Sequence, residues 1–317
     1  MGNMHHAKSI VAACIAAWAL GACGWQDPVA DSGNGGSSTG FSGQDASAPV
    51  LTNNIATDGR AWINYRRSQI GLPALTESSI VDKAAQGHSD YQRTNNIVTH
   101  DQTSGKTGFT GITLEDRLKA AGYSFATTNA IGEVISATQN KTGFYMAEEL
   151  VTAIYHRFVM FEPVFQEIGT GSAVSSSSYA YFTADLVTNN GYATGLAAGT
   201  LATWPVNGQT AVPVNFYSDF EEPDPVPDVN EVGYPISVHT NLTRKLTVQS
   251  FTVRARNGSS NLTTRLLTKD TDTNTTSQSV AAIIPLAPLG ANTVYDVSFS
   301  GAIDGTAISK TWSFTTK

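Results

Sequence analysis

The spacing of apolar residues changes character once along this chain, near Gly191, and that change limits the fold more than any other feature. Before it, apolar side chains recur at three-, four-, seven- and eight-residue intervals, the pattern of helices with one buried face. After it no helical stripe occurs, and short alternating runs stand between turn residues: ISVHT, LTVQSFTVRAR, VAAIIP, VYDVSFSG and KTWSFTT. A chain of 317 residues exceeds the usual domain of about 100–150. The change of period therefore reads as a boundary between two folded units.

In the first unit, Ile55, Trp62, Ile63 and Ile70 form one helical stripe, which Gly71 and Pro73 end. Ile80, Ala84, His88 and Tyr91 form a second over residues 77–92, which places His88 on a buried face; a satisfied core histidine is the plainer reading there, a residue bordering a cleft the other. In TLEDRLKAAG, Thr113 is an N-cap, Leu114, Leu118 and Ala121 share one side, and Gly122 stands where a left-handed residue is favoured. AIGEVIS reads as a strand carrying Glu133. FYMAEELVTAIYHR reads as a fourth helix with Met146, Leu150 and Ile154 in line and His156 at its end. EIGTGSA and YAYFTADLVT, on either side of residues 175–178, alternate with period two and form a hairpin. The expected class over residues 53–192 is α+β.

Composition sets the context. Hydrophobic residues at 41% can build real cores, whereas a net charge of -7 without any Lys/Arg cluster argues against nucleic acid as a partner. The N-terminus, MGNMHHAKSIVAACIAAWALGACG, has one Lys and then an apolar run over residues 10–20, too short for a bilayer and suited to an export signal. LGAC resembles the bacterial lipobox, in which small residues precede a lipidated cysteine. Residues 1–22 are then a lipoprotein signal peptide and Cys23 the acylated first residue of the mature chain, held to the lipid bilayer. Gly24 rather than Asp after it favours the outer membrane or cell surface. Cys14 lies within the signal, so the mature chain has no pair for a disulfide. Residues 23–52, rich in Gly and Ser, bury too little apolar surface to order and are expected to be a flexible tether.

NYRRSQIGLPAL, AAQGHSDYQ, VTHDQ, EDRLKAAGY, IGEVI, YHR and EIGTG together resemble bacterial members of the CAP superfamily (cysteine-rich secretory proteins, antigen 5, pathogenesis-related proteins) over about residues 55–186. The resemblance implies a three-layer α-β-α sandwich with an open cleft lined by two His and one or two Glu residues. By motif, His100 of VTHD matches the first cleft His, Glu133 of GEVI the strand Glu, and His156 of YHR the second His. The Pro and Gly that precede the second His in bacterial relatives are absent here, and Val134 replaces the Asn after the Glu. The helix Glu of eukaryotic relatives falls on Ala153; Glu149 is the candidate substitute, and Glu149 and His88 are accessory candidates. Two neutral imidazoles and a carboxylate suit zinc, which makes His100, Glu133 and His156 candidate metal ligands; a buried hydrogen-bonded network that fixes the layers is the competing reading. Arg157 is expected to pair with an acidic neighbour such as Glu162.

TWPVNGQTAVPVNFYSDFEEPDPVPDVNEVGYPISV resembles the start of bacterial immunoglobulin-like modules found after CAP domains, and LGANTVYDVSFSGAIDGTAISKTWSFTT resembles their closing strands. The implied second unit is an all-β immunoglobulin-like sandwich over residues 195–317, with the acidic, Pro-rich residues 221–228 as an internal loop. The expected function is ligand binding or scaffolding in the cell envelope, with a lipid, glycan or protein ligand and no assigned catalytic residue. Two alternatives stand beside it: a metal-assisted hydrolase using His100, Glu133 and His156, and an adhesion or assembly protein acting through the β-sandwich.

Overall fold

A computed structural model describes residues 8–16 and 40–317, so Cys23 lies outside the described residues. Helix α1 (Ile55–Gln69) starts where the Asn54 side chain accepts the Thr57 N–H. It ends at Ile70, before Gly71 turns the chain at φ +82°. Helix α2 (Ser79–Asn95) buries Val81, Ala84, Ala85, His88 and Tyr91. Ile80, expected on that face, is 42% exposed; the buried stripe begins at Val81 instead. Helix α3 (Leu114–Ala121) opens with a reciprocal Thr113–Asp116 capping box and closes on Gly122 at φ 107°.

The single fourth helix expected from the sequence is two. Helix α4 (Gly143–Thr152) stops at Ala153, whose ψ of 124° is extended, and α5 (Ile154–Met160) restarts at once. His156 therefore lies in the first turn of a new helix rather than at the end of an old one.

Strands β1 (Lys8–Ala16), β2 (Thr76–Glu77), β3 (Ala130–Thr138), β4 (Glu167–Val174) and β5 (Ala180–Thr188) form one sheet in the order β1-β3-β5-β4-β2. The three central strands are antiparallel and the two outer ones run parallel to their neighbours. The segment expected as the apolar part of an export signal is thus paired as an edge strand beside β3. On one face of the sheet, Val81, Ala84, Leu114 and Leu118 of α2 and α3 pack on Ile131 and Val187. On the other, α1, α4 and α5 bring Trp62, Phe144 and Ile154 into the core that holds Val134, Phe182 and Leu186. These are the three layers. Gly169 and Gly171 lie where α2 crosses β4, and a Cβ at either would collide with the helix backbone at Asp82 or Gln86. That closeness lets the side chains of Asp82 and Gln86 accept the Thr170 and Ser172 N–H groups along the β4 edge that β2 leaves open.

The rest of the chain is all-β. Strands β6 (Ala202–Trp204), β7 (Gln209–Val212), β8 (Phe216–Tyr217), β9 (Glu231–Val232), β10 (Ile236–His239), β11 (Leu246–Ala255), β12 (Thr264–Leu267), β13 (Val280–Pro285), β14 (Val294–Ile303) and β15 (Thr306–Thr316) make two four-stranded sheets and a two-stranded ribbon. The sheets run β12-β13-β10-β6 and β11-β14-β15-β7, antiparallel except where β7 meets β15. Alternation follows the strand period: Tyr295, Val297 and Phe299 of β14 are buried while Ser298 is exposed. Residues 221–228 connect β8 to β9 within this unit.

The two units share a seam. Phe161 meets Trp204 at 5.5 Å, the Trp204 indole donates to the Tyr234 hydroxyl at 2.8 Å, and the Arg66 guanidinium lies over both Trp62 and Trp204. The chain expected to be tether up to residue 52 is packed from Phe41 onward. Phe41 contacts Trp62 at 4.8 Å, Gly43 N–H donates to the Thr210 carbonyl at 2.9 Å, and Gln69 donates to the Gly43 carbonyl at 2.8 Å. The Phe41 ring provides apolar surface that composition averaged over the Gly/Ser-rich segment conceals. Among the described residues no helix is long and apolar enough to cross a membrane.

Candidate functional site

Strand β3 carries Glu133 into the α2/α3 side of the sheet, where it is 1% exposed. The loop between α2 and α3 brings His100 over it, and His100 Nδ1 lies 2.7 Å from Glu133 Oε1. Arg117 of α3 donates to Glu133 Oε2 at 2.5 Å and, through its other amino group, to the His100 carbonyl at 2.7 Å. Burial alone would raise the Glu133 carboxyl, but Arg117, with His88 and His100, outweighs it and holds Glu133 well below the usual carboxylate range. An ionised Glu133 makes His100 Nδ1 the donor, and the other ring nitrogen, Nε2, is buried with no partner. The His100 side chain as a whole is 16% exposed.

His88 is fully buried and braces the loop that holds His100. Its Nε2 donates to the Thr99 carbonyl at 2.7 Å and its Nδ1 accepts from Gln102 at 3.0 Å. A second proton would find no acceptor, and burial pushes the imidazole down to about 4.

His156 is fully buried in the first turn of α5, and its ring is bonded not to Glu133 but to Glu221 of the C-terminal unit, at 3.0 Å from Nδ1. Burial lowers its pKa, and Glu221 opposes the shift. Arg157 does not pair with Glu162. It donates to the carbonyls of Val151, Thr152 and Pro235 and to the Ser237 hydroxyl. Arg67 instead reaches the Glu162 backbone carbonyl at 3.0 Å, while the Glu162 side chain accepts the N–H groups of Leu242 and Val164. Glu149 accepts the Ser136 hydroxyl on the α4 side of the sheet.

Residues 61–186 match the sequence model of the cysteine-rich secretory protein family, CAP. This segment is a CAP domain. Several solved structures align with the chain, two of them as follows. An extracellular protein containing an SCP domain from Bacillus anthracis aligns with 23% identity and a TM-score of 0.36, over 45% of this chain and 45% of that one. An outer surface protein from Borrelia burgdorferi aligns with 14% identity and a TM-score of 0.35, over 41% of this chain and 90% of its own. The chain thus spans under half the length of the Bacillus protein. No match was found among curated protein sequences.

Two buried residues of the site escaped the sequence reading. Asp185 stands opposite Glu133 in the β3–β5 ladder, with both carboxyl oxygens buried and without a hydrogen-bond partner. Burial, and then the charge of Glu133, raise its carboxyl well above the usual range. The signal was an acidic residue in the middle of YFTADLVT, on the face shared by Thr183 and Val187. Glu221 gave no local signal, because it lies 65 residues from His156.

The CAP domain residues proposed for zinc do not form a three-ligand set. Both Glu133 oxygens are engaged, one by His100 and one by Arg117, and among the described residues no group of three or more His, Cys, Asp or Glu side chains converges as a metal site. What remains is two buried imidazole nitrogens, Nε2 of His100 and Nε2 of His156, without protein partners.

Proposed function

We propose that this chain is a lipid-anchored protein of the bacterial cell envelope whose CAP domain recognises a ligand at the edge marked by His100. The observation that carries the reading is the engagement of Glu133. A general base must be able to take up a proton near neutral pH, and a carboxylate held by Arg117 and His100 far below its usual range is poorly suited to do so. His88 and His156 are closed off from solvent, which leaves the partly exposed His100 as the polar group a ligand meets first. The anchor rests on LGAC and Cys23.

Retention of the chain carrying Cys23→Ala, and so without an acyl anchor, on purified peptidoglycan and on phospholipid vesicles, with and without His100→Ala, tests the reading. One of the two surfaces should retain the chain that keeps His100 and lose about ten-fold in affinity with His100→Ala, on the order of 1.4 kcal/mol. Retention that His100→Ala leaves unchanged contradicts it.

The adhesion reading has an observation of its own. A cavity of about 650 Å³ lies on the outer face of β11, β14 and β15, with Thr252, Ser298 and Thr311 along it and Arg254, Arg256 and Asp296 beside them. Hydroxyl and guanidinium donors on an exposed sheet suit a polar envelope surface.

A further inference from the structure

Three consecutive residues at the start of α5 each hold a different part of the C-terminal unit. Tyr155 donates its hydroxyl to Asp272 at 2.9 Å, the His156 ring lies 3.0 Å from Glu221, and Arg157 donates to the Pro235 carbonyl at 2.8 Å and the Ser237 hydroxyl at 3.2 Å. Glu221 makes the densest of these contacts. Its carboxyl oxygens also accept the backbone N–H groups of Ile154 at 2.7 Å, Tyr155 at 2.6 Å and His156 at 3.2 Å. The residue before the helix, Ala153, has no side-chain acceptor to cap these groups itself.

We propose that Glu221 is a positioning residue for His156: the C-terminal unit supplies the carboxylate that fixes the His156 ring with its proton on Nδ1 and its Nε2 bare. This deepens the recognition reading and rests on it for the purpose of the site, while the geometry stands apart from it. Each imidazole has its own carboxylate. For His100 it is Glu133, inside the CAP domain; for His156 it is Glu221, outside it. In both, Nδ1 faces the carboxylate and Nε2 is buried without a partner. A carboxylate on one ring nitrogen selects the tautomer and orients the other nitrogen. Since both oxygens of Glu221 already accept N–H groups, the ring nitrogen facing it is the donor. A simple helix cap needs none of this, because Ser or Asp at position 153 would serve locally. Bringing a carboxylate from another unit into full burial is costly unless every hydrogen bond is made, and the imidazole is one of the bonds that offsets that cost.

Ring ¹⁵N spectra of the full chain labelled at histidine, with the His156 signal assigned by its loss in His156→Gln, test the assignment without any ligand. At pH 7 the wild type should show a protonated Nδ1 and a bare Nε2. Glu221→Gln should keep that tautomer at some cost in stability, because its amide oxygen still accepts. Glu221→Ala should move the proton to Nε2 in most molecules and leave the His100 signals in place. A wild-type proton on Nε2, or a folded Glu221→Ala with an unchanged tautomer, overturns the proposal. If Glu221→Ala does not fold, the wild-type and Glu221→Gln tautomers decide it. Failure of His100→Ala to affect retention would leave this result untouched, so the two readings fail separately.

Discussion

Glu133 and Asp185 face each other across the β3–β5 ladder, where Arg117 holds the Glu133 carboxyl well below the usual carboxylate range while burial raises that of Asp185 well above it. Replacing each carboxyl by an amide should therefore cost very different amounts. Glu133→Gln leaves the buried Arg117 without its ion-pair partner and should destabilise the fold by about 3–5 kcal/mol. Asp185 makes no ion pair among the described residues, so Asp185→Asn, which keeps the side-chain shape, should stay within about 1 kcal/mol of the wild type. Urea unfolding at pH 7 measures both, and equal losses would contradict the Arg117–Glu133 ion pair as the source of the difference.

Folding should also depend on acid through His88. The folded imidazole is pushed down to about 4 from an ordinary value of 6.5, so below pH 6.5 the unfolded chain binds the proton more readily. Stability contributed by this group is present above pH 6.5 and is lost as pH falls toward about 4, by up to about 3 kcal/mol. His88→Gln should unfold with a shallower pH slope in that window; an unchanged slope would show that His88 is not held neutral.

The seam between the units should make their unfolding cooperative. Trp204 is fully buried, touches Phe161 and lies under Arg66, so Trp204→Ala should cost about 3–5 kcal/mol and lower the melting of α-helical and β signals together. Separate transitions, with only the β signal shifted, would mean that the seam carries little energy.

Local patterns in the sequence marked α1, α2, α3 and the β4–β5 hairpin, because their signals lie within a few residues: the apolar stripe ended by Gly71, the Thr113 cap, Gly122, and the alternation around residues 175–178. The register of His100 on Glu133 was readable by motif. What was not readable depends on groups distant in sequence. The break at Ala153 is capped by Glu221, Arg157 bonds carbonyls at the end of α4 and in the C-terminal unit rather than Glu162, and Phe41 packs on Trp62. In AIYHRFVMFEP the polar residues face the seam between the units, where Tyr155, His156 and Arg157 find their partners.

The anchor is tested by acyl labelling in the native host. Cys23→Ala should abolish incorporation of labelled fatty acid and release the chain from the membrane fraction, since LGAC supplies the only cysteine beyond Cys14. Labelling that survives the substitution would remove the lipobox reading.

The central claim is that the CAP site recognises rather than cleaves, because Glu133 is committed to Arg117 and His100 and is not free to serve as a base. The direct measurement is release of soluble fragments from peptidoglycan by the full chain in the presence of zinc, with the His100→Ala, His156→Ala double variant alongside. Wild type and double variant should release the same background. Zinc-dependent release by the wild type, absent in the double variant, would contradict the account and favour the hydrolase.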